Sequence, residues 1–443
     1  MNAYAQIIRE RWEENIKDGN AAARYMENST AIYRGEPVAC LYMPKIFSRE
    51  AYEFLQKAAG EICVILDKVI ERYLSDAEYR RLFPFDKELE ELILTEAGYP
   101  RLLPIARLDI FFDEDDFSFK FCEFNADGAS AMNEDREINN AIRNSDAFIE
   151  FTRQRELLGF EFFDSWVHEF GDIYSKYNKK VDVPRIAIVD IMENGTIPNE
   201  FIEFKKAFER AGYDTKIYDM RDLEYQNGIL HQNGLKIDAV YRRAVTCDVI
   251  RFKDDVQPFL QAARDNAVCI VGHFRTQIIH NKAVFKILRM SETLSFLSEA
   301  EREYVLRHIP ETLPLESGKF DLSEVLTNKD AWIIKPEDLY GSRGVFAGVD
   351  ETPQSWEKAV RDTIDTGYLL QQFCPPYQTE NLDFTESPCP QFKMYNNITG
   401  LFVYNGKLQG IYSRAGLMGT ISPFTRGLTV ASLVCCHNKE KFR

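Results

Sequence analysis

Several familiar catalytic signatures are missing from this chain. It has no Cys-x-x-Cys, no Gly-x-Ser-x-Gly and no Walker-type Gly-Lys-Ser/Thr, and no pair among its six histidines stands at metal-ligand spacing. These absences argue against a zinc or redox cysteine motif, an α/β-hydrolase nucleophile, a P-loop and a histidine-based metallohydrolase. No stretch approaches the ~18–20 apolar residues of a membrane span. Internal repeats and low-complexity segments are also lacking, which excludes solenoids and disordered tails as the theme. Positive charge is scarce as well. Lys and Arg number 54 against 70 Asp and Glu, a net of −16, so most of the surface repels nucleic acid and anionic lipid. A local basic pocket for a small anion is still compatible with that total. Nine cysteines, an odd number scattered over 443 residues, read as reduced thiols, and the opening segment is charged from Arg9 onward; the expectation is a cytoplasmic protein with no nucleic-acid or membrane partner.

What is present is an ordinary globular balance, 45% hydrophobic and 28% charged, with enough apolar material for several cores. Residues 1–98 show apolar positions at three and four spacing and read as mainly helical. Two aromatic-rich runs flank the acidic turn Asp113–Asp116 and predict a hairpin, with helices following through Tyr177. Residues 179–275 alternate short buried strands with a helix around turns at Asn194-Gly195 and Asn227-Gly228, which predicts a small α/β domain. The pattern LKIDAVYRRAV reads there as one strand. From 276 to 443 strands and glycine turns alternate. The overall class is α/β, shading to α+β.

Five constellations could carry chemistry. On the first predicted hairpin, Arg107 and Asp109 share one strand face, and Glu123 and Asn125 share the facing one, because side chains at i and i+2 point the same way. Two carboxylates and an amide oxygen suit Mg²⁺, although a solvated cross-strand salt bridge has the same composition. Lys335-Pro336 runs into the glycine turn Tyr340-Gly341-Ser342-Arg343-Gly344, where backbone N–H groups and an ammonium could meet phosphate oxygens. Lys282 follows Asn281 at a predicted helix start, where charge and helix dipole would act together on a phosphate. Gln371, Gln372 and Phe373 end an apolar strand before Pro375-Pro376, where polar groups in an apolar cleft could meet a purine edge. Arg414 closes a strand and offers a guanidinium fork. Each is also explicable as an ordinary core or surface residue.

Taken in order, these residues resemble the circularly permuted ATP-grasp ligases, and within them the synthetase domain of glutathionylspermidine synthase. The resemblance rests on Arg107-Leu108-Asp109, then Glu123-Phe124-Asn125-Ala126-Asp127-Gly128-Ala129-Ser130, then Asn281-Lys282-Ala283, Lys335-Pro336 with Gly341–Gly344, Gln371-Gln372-Phe373, and Gly410-Ile411-Tyr412-Ser413-Arg414. Gly128 stands where the family carries serine. The resemblance implies a permuted ATP-grasp fold whose metal-binding hairpin, at 99–178, precedes its ATP-binding lobes, at 276–443, with a Rossmann-like pre-ATP-grasp domain at 179–275 between them. It implies that Asp109, Glu123 and Asn125 hold two Mg²⁺, and that Lys282 and Lys335 contact ATP phosphates beneath the loop Gly341, Ser342, Arg343, Gly344. The segment Gln371, Gln372, Phe373 would form the hinge beside the nucleotide. Arg107 and Arg414 would stabilise the transferring phosphoryl group. Ser130 and Arg242 or Arg243 would face the substrate, a structural ion pair being the alternative for the last two. The implied reaction joins a small-molecule or peptide carboxylate to an amine through an acyl phosphate. A nucleotide-binding module without turnover, and phosphoryl transfer to a hydroxyl, are the competing expectations.

Overall fold

A computed structural model describes residues 3–192, 195–339, 341–422 and 425–438. Asn194 of the expected turn and Tyr340 of the glycine loop lie outside the described residues.

The described part of 1–98 is mainly helical, as its periodicity predicts, with short strands at Ile32–Tyr33, Glu36–Pro37 and Lys45–Ser48. Its main element, α1 (Arg49–Ser75), starts where Ser48 accepts a hydrogen bond from the Ala51 N–H. Its stripe Leu55, Ala59, Ile62, Leu66, Val69, Ile70 and Tyr73 is buried, which is what an apolar face at 3.6 spacing exists to do. That face packs on the sheet begun by β1 (Ile105–Phe112) and β2 (Phe119–Asn125), an antiparallel hairpin. Alternation along β1 sends Leu108 and Ile110 into this core and leaves Arg107 and Asp109 on the opposite face.

Helices α2 (Met132–Ile142) and α3 (Phe163–Ser175) follow. Between them, Arg155–Leu158 pairs antiparallel with Ser432–Asn438, a strand inside a stretch expected to be helical. Its sequence, RELL, is too short to show either period, so its partner decides its conformation.

Strand β3 (Arg185–Asp190), helix α4 (Asn199–Arg210), and strands β4 (Asp214–Asp219), β5 (Ala239–Arg242) and β6 (Cys269–Val271) build a four-stranded parallel sheet. Its order is β6-β5-β3-β4. The expected single strand across 235–245 is instead two: Leu235–Lys236 belongs to a separate three-stranded meander, and only Ala239–Arg242 joins the parallel sheet. The cause is a second Asn-Gly turn. Asn227-Gly228 and Asn233-Gly234 both have positive φ, so each closes a hairpin of the meander.

The chain then enters α5 (Ala283–Leu288) and a second antiparallel sheet of β7 (Thr312–Pro314), β8 (Trp332–Pro336), β9 (Phe346–Ala347) and, after α6 (Pro353–Thr363), β10 (Tyr368–Gln372), in the order β7-β10-β8-β9. A small core of Leu315, Val325, Ile334, Trp356, Val360 and Leu370 supports it. Finally β11 (Lys393–Tyr404), β12 (Lys407–Gly416) and β13 (Leu428–Val430) return to the first sheet, giving β13-β12-β11-β1-β2. Residues nearly 300 positions apart thus share one sheet face. Among the described residues no helix is long and apolar enough to cross a membrane.

Candidate active site

The polar face of the first sheet carries the site. Register places Arg107 opposite Asn125 and Asp109 opposite Glu123, and on the other side Asp109 opposite Gly400 of β11. Gly400 in turn faces Tyr412, two residues from Arg414 on β12. A Cβ at Gly400 would fall 2.9 Å from both Arg107 Cδ and Asp109 Oδ1, so glycine leaves room for the pair to lie across the strand.

Asp109 is the hub. Its Oδ1 accepts from Arg107 Nε at 2.7 Å, and its Oδ2 accepts from Arg107 Nη2 at 3.1 Å, Arg414 Nη2 at 2.9 Å and Asn125 Nδ2 at 3.2 Å. Arg107 also donates to the Ser130 carbonyl, and its guanidinium lies over the Tyr412 ring. Burial alone would lower the Arg107 pKa, but Asp109 outweighs it and holds the guanidinium firmly charged.

The lysines approach from the other elements. Lys282 Nζ is 2.9 Å from Glu123 Oε1 and donates to the Leu339 carbonyl at the root of the glycine loop. Lys335, near the end of β8, donates to Gln371 Oε1 at 2.8 Å and to the Cys122 carbonyl at 3.1 Å. Both lysines are buried. Burial by itself raises the Glu123 pKa, yet the charge and hydrogen bond of Lys282, with Lys335 behind it, hold it at about 2. Four cations therefore meet two carboxylates, a formal excess of two positive charges in an acidic protein. That is the electrostatic setting an anionic ligand needs.

Three expectations change. The helix at Lys282 has six residues, and the Lys282 N–H is already bonded to the Glu337 carbonyl, so the lysine works by its ammonium and not through a helix dipole. The side-chain amide of Gln371 is spent on Lys335 and on Thr312 Oγ1, while the N–H groups of Gln372 and Phe373 bond Glu311 and Ala331; Gln371 thus orients a lysine and is not free for a purine edge. Arg242 is sealed rather than presented to substrate. It pairs with Asp127 at 2.6 Å and donates to the Gly272 and Ala244 carbonyls, because β5 ends beneath the 126–131 loop. Arg243 is buried too, holding Glu200 at 2.7 Å and the Ala129 carbonyl. Glu200 also accepts the N–H groups of Ala131, Met132 and Asn133 at the start of α2.

The remaining predicted residues lie where the loops put them. Ser130 is exposed next to Arg107. Gly341, Ser342 and Gly344 all have positive φ, and a Cβ at Gly344 would meet Tyr368 Oη at 2.7 Å, so this tight turn needs glycine there. Arg343 is exposed on the same turn. Gly128 has φ +63, and a Cβ there would lie 2.6 Å from the Arg243 carbonyl, which accounts for the missing serine. Asp109, Glu123 and Asn125 form a set of oxygen donors on one face, the chemistry Mg²⁺ takes. The Asn125 amide donates to Asp109, which leaves its own oxygen available. Among the described residues there is no cluster of three or more His, Cys, Asp and Glu; the candidate set has two carboxylates and an amide.

Two neighbours were assigned no role from the sequence. Glu134 on α2 accepts hydrogen bonds from the Tyr412 hydroxyl and from Thr429, and burial pushes its carboxyl up toward the neutral form. Tyr412 was within reach of the period-two rule, since it sits two residues before Arg414; Glu134 left no such signal.

No protein-family model and no curated protein matches the sequence. Solved structures do match. A glutathione synthetase-like effector from Globodera pallida, in its apo form, aligns with a TM-score of 0.62 over 94% of this chain and 96% of its own, at 10% identity. The chain has a glutathione synthetase-like fold. A putative gamma-glutamylcysteine synthetase from Methylobacillus flagellatus gives a TM-score of 0.35 at 9% identity, covering 88% and 90% of the two chains, too low to carry an argument. Within this glutathione synthetase-like architecture, Lys282 links Glu123 of the charged sheet face to the root of the glycine loop, and Lys335 bonds the Cys122 carbonyl of the neighbouring residue on β2.

Proposed function

We propose that the protein is an ATP- and Mg²⁺-dependent carboxylate–amine ligase, an enzyme of the circularly permuted ATP-grasp type related to the synthetase domain of glutathionylspermidine synthase, with a Rossmann-like domain before its ATP-binding lobes. The observation that carries this reading is the convergence of Lys282 and Lys335 with the Arg107–Asp109–Arg414 cluster. Phosphoryl transfer needs positioning and fixed positive charge more than covalent chemistry, and this site supplies both.

In this reading ATP binds with its phosphates against Lys282 and Lys335 and beneath the Gly341–Gly344 turn, and Arg343 of that turn approaches from outside. Gln371 keeps Lys335 aimed, and Phe373 borders the nucleotide. Asp109, Glu123 and Asn125 would hold Mg²⁺, which when bound neutralises phosphate oxygens. Binding exchanges partners: Lys282 and Arg414 release carboxylate oxygens as they turn to phosphate. A substrate carboxylate beside Ser130 attacks the γ-phosphorus, the bond to the bridging oxygen of ADP breaks, and Arg107 and Arg414 hold the equatorial oxygens. An amine then displaces phosphate from the acyl phosphate and forms the amide. No side-chain nucleophile is required, in keeping with the lack of such a motif.

Incubation with ATP, Mg²⁺, hydroxylamine and pools of amino acids, peptides and small acids tests this. ADP with a hydroxamate is expected. AMP with pyrophosphate would contradict the acyl-phosphate route, a hydroxylamine-resistant phosphoester would indicate transfer to a hydroxyl, and binding without ATP consumption would indicate a module without turnover.

A further inference from the structure

Four arginines of the described chain are buried, and three have a counter-charge. Arg107, Arg242 and Arg243 each hold a carboxylate at 2.6–2.7 Å. Arg275 does not. It is 8% exposed, its Nε has no hydrogen-bond partner, and no carboxylate of the described residues lies within ion-pair distance of its guanidinium. An uncompensated buried guanidinium is costly, and natural proteins rarely keep one without a ligand or a functional reason.

Its surroundings show what would compensate it. Just past β6 the loop 95–100 lies over the sheet: the Tyr99 hydroxyl donates to the Ile270 carbonyl, and Thr95 meets His273. A depression of about 340 Å³ opens there, lined by Glu96, Ala97, Gly98, Tyr99, Pro100 and Arg275. It shares no lining residue with the nucleotide cleft. Among the described residues, no acceptor takes the N–H of Ala97, Gly98 or Tyr99. Burial first, then the charges of Arg275 and Arg242, push the His273 imidazole well below its usual pKa, so it stays neutral and the positive field beside it belongs to the arginines.

We propose that this depression is a second ligand site, which binds a monocarboxylate through Arg275. One guanidinium fork matches one carboxylate in bidentate geometry. Glu96 on the rim brings the formal charge of the lining to zero, which disfavours a phosphate dianion. The faces of Ala97, Tyr99 and Pro100 suit the carbon skeleton of an organic acid better than bare inorganic phosphate.

The probes are benzoate, acetate and inorganic phosphate, titrated at fixed ionic strength against chloride while the thermal midpoint is followed. Wild type is expected to gain a saturable rise with benzoate and with acetate, and none with phosphate. Arg275→Leu is expected to lose that rise while keeping a ligand-free midpoint equal to or above wild type, because it removes an unpaired buried charge. Arg275→Lys should weaken benzoate at least tenfold, having charge without the fork. The proposal is overturned by a benzoate response that survives Arg275→Leu, or by a larger response to phosphate. Independently of how the variants fold, saturation-transfer NMR on wild type should show benzoate contacted by the protein and displaced by acetate; absence of transfer would also overturn it.

Discussion

Two ion pairs whose carboxylates, Asp127 and Glu123, lie four residues apart in the chain differ sharply in their access to solvent. At the carboxyl ends of β3 and β5, where strand order reverses and open α/β sheets commonly hold ligands, Arg242–Asp127 is fully closed, with side chains 0% and 1% exposed. In the candidate active site, Lys282–Glu123 has the same formal composition, but its side chains are 9% and 25% exposed. The first pair cannot exchange partners without unfolding the 126–131 loop. The second is partly open to solvent, which is what the proposed turn of its lysine toward a phosphate requires. Charge type does not separate the two pairs; access of one partner to solvent does.

That contrast is broken most severely at Arg242. Arg242→Met strands Asp127 in a dry site and should cost roughly 3–5 kcal/mol of stability, measured by denaturant unfolding. Adding Asp127→Leu should restore much of the loss, and failure to restore it would argue against a purely structural pair. Lys282→Met should behave inversely. Its stability should fall by less than that of Arg242→Met, because Glu123 is partly solvated, whereas ATP affinity by calorimetry should fall roughly 10- to 100-fold, the worth of a charged hydrogen bond.

A third test sets two carboxyls against each other. Glu123 has its pKa depressed to about 2, so its contribution is present above the unfolded value and is lost only as pH falls below that range. Asp190, at the end of β3, is raised to about 7, first by burial. A raised acid binds its proton more tightly folded than unfolded, so it erodes stability as pH rises from about 4 to 7. Asp190→Asn should flatten that slope and stabilise the protein above pH 7 by roughly 1–3 kcal/mol; an unchanged pH profile would count against the assignment. The smallest effect is expected at Gly400→Ala, whose Cβ would press on Arg107 and Asp109 at 2.9 Å. It should lower turnover on the order of tenfold by misplacing the pair, with ATP affinity nearly unchanged.

Residues whose roles follow local periodicity were legible in the sequence. Arg107, Asp109, Glu123 and Asn125 share a face because the strand period is two, and the hairpin turn is marked by its acidic residues. The same logic brings Arg414 to Asp109 once β12 is known to lie in that sheet. Long-range burial was not legible. Arg242 and Arg243 look like an open cationic pair, yet Asp127 and Glu200, from distant segments, close over them. Gln371 reads as a base-recognition group, but Lys335 arrives on the neighbouring strand and claims it. Arg275 carries no motif at all; only the fold shows that its Nε has no hydrogen-bond partner and that no carboxylate of the described residues pairs with it. The strand at 235–245 failed because an unrecognised Asn233-Gly234 turn just before it folds Leu235–Lys236 back into the meander, which leaves only Ala239–Arg242 for the parallel sheet.

The most direct test of the central claim is calorimetric titration of Mg-ATP into wild type and into Lys282→Met and Lys335→Met. Wild type should bind at one site, and each lysine variant should lose at least tenfold in affinity while still showing a cooperative thermal transition and a wild-type circular dichroism spectrum. Equal affinity in all three would remove the nucleotide from this cleft and contradict the account.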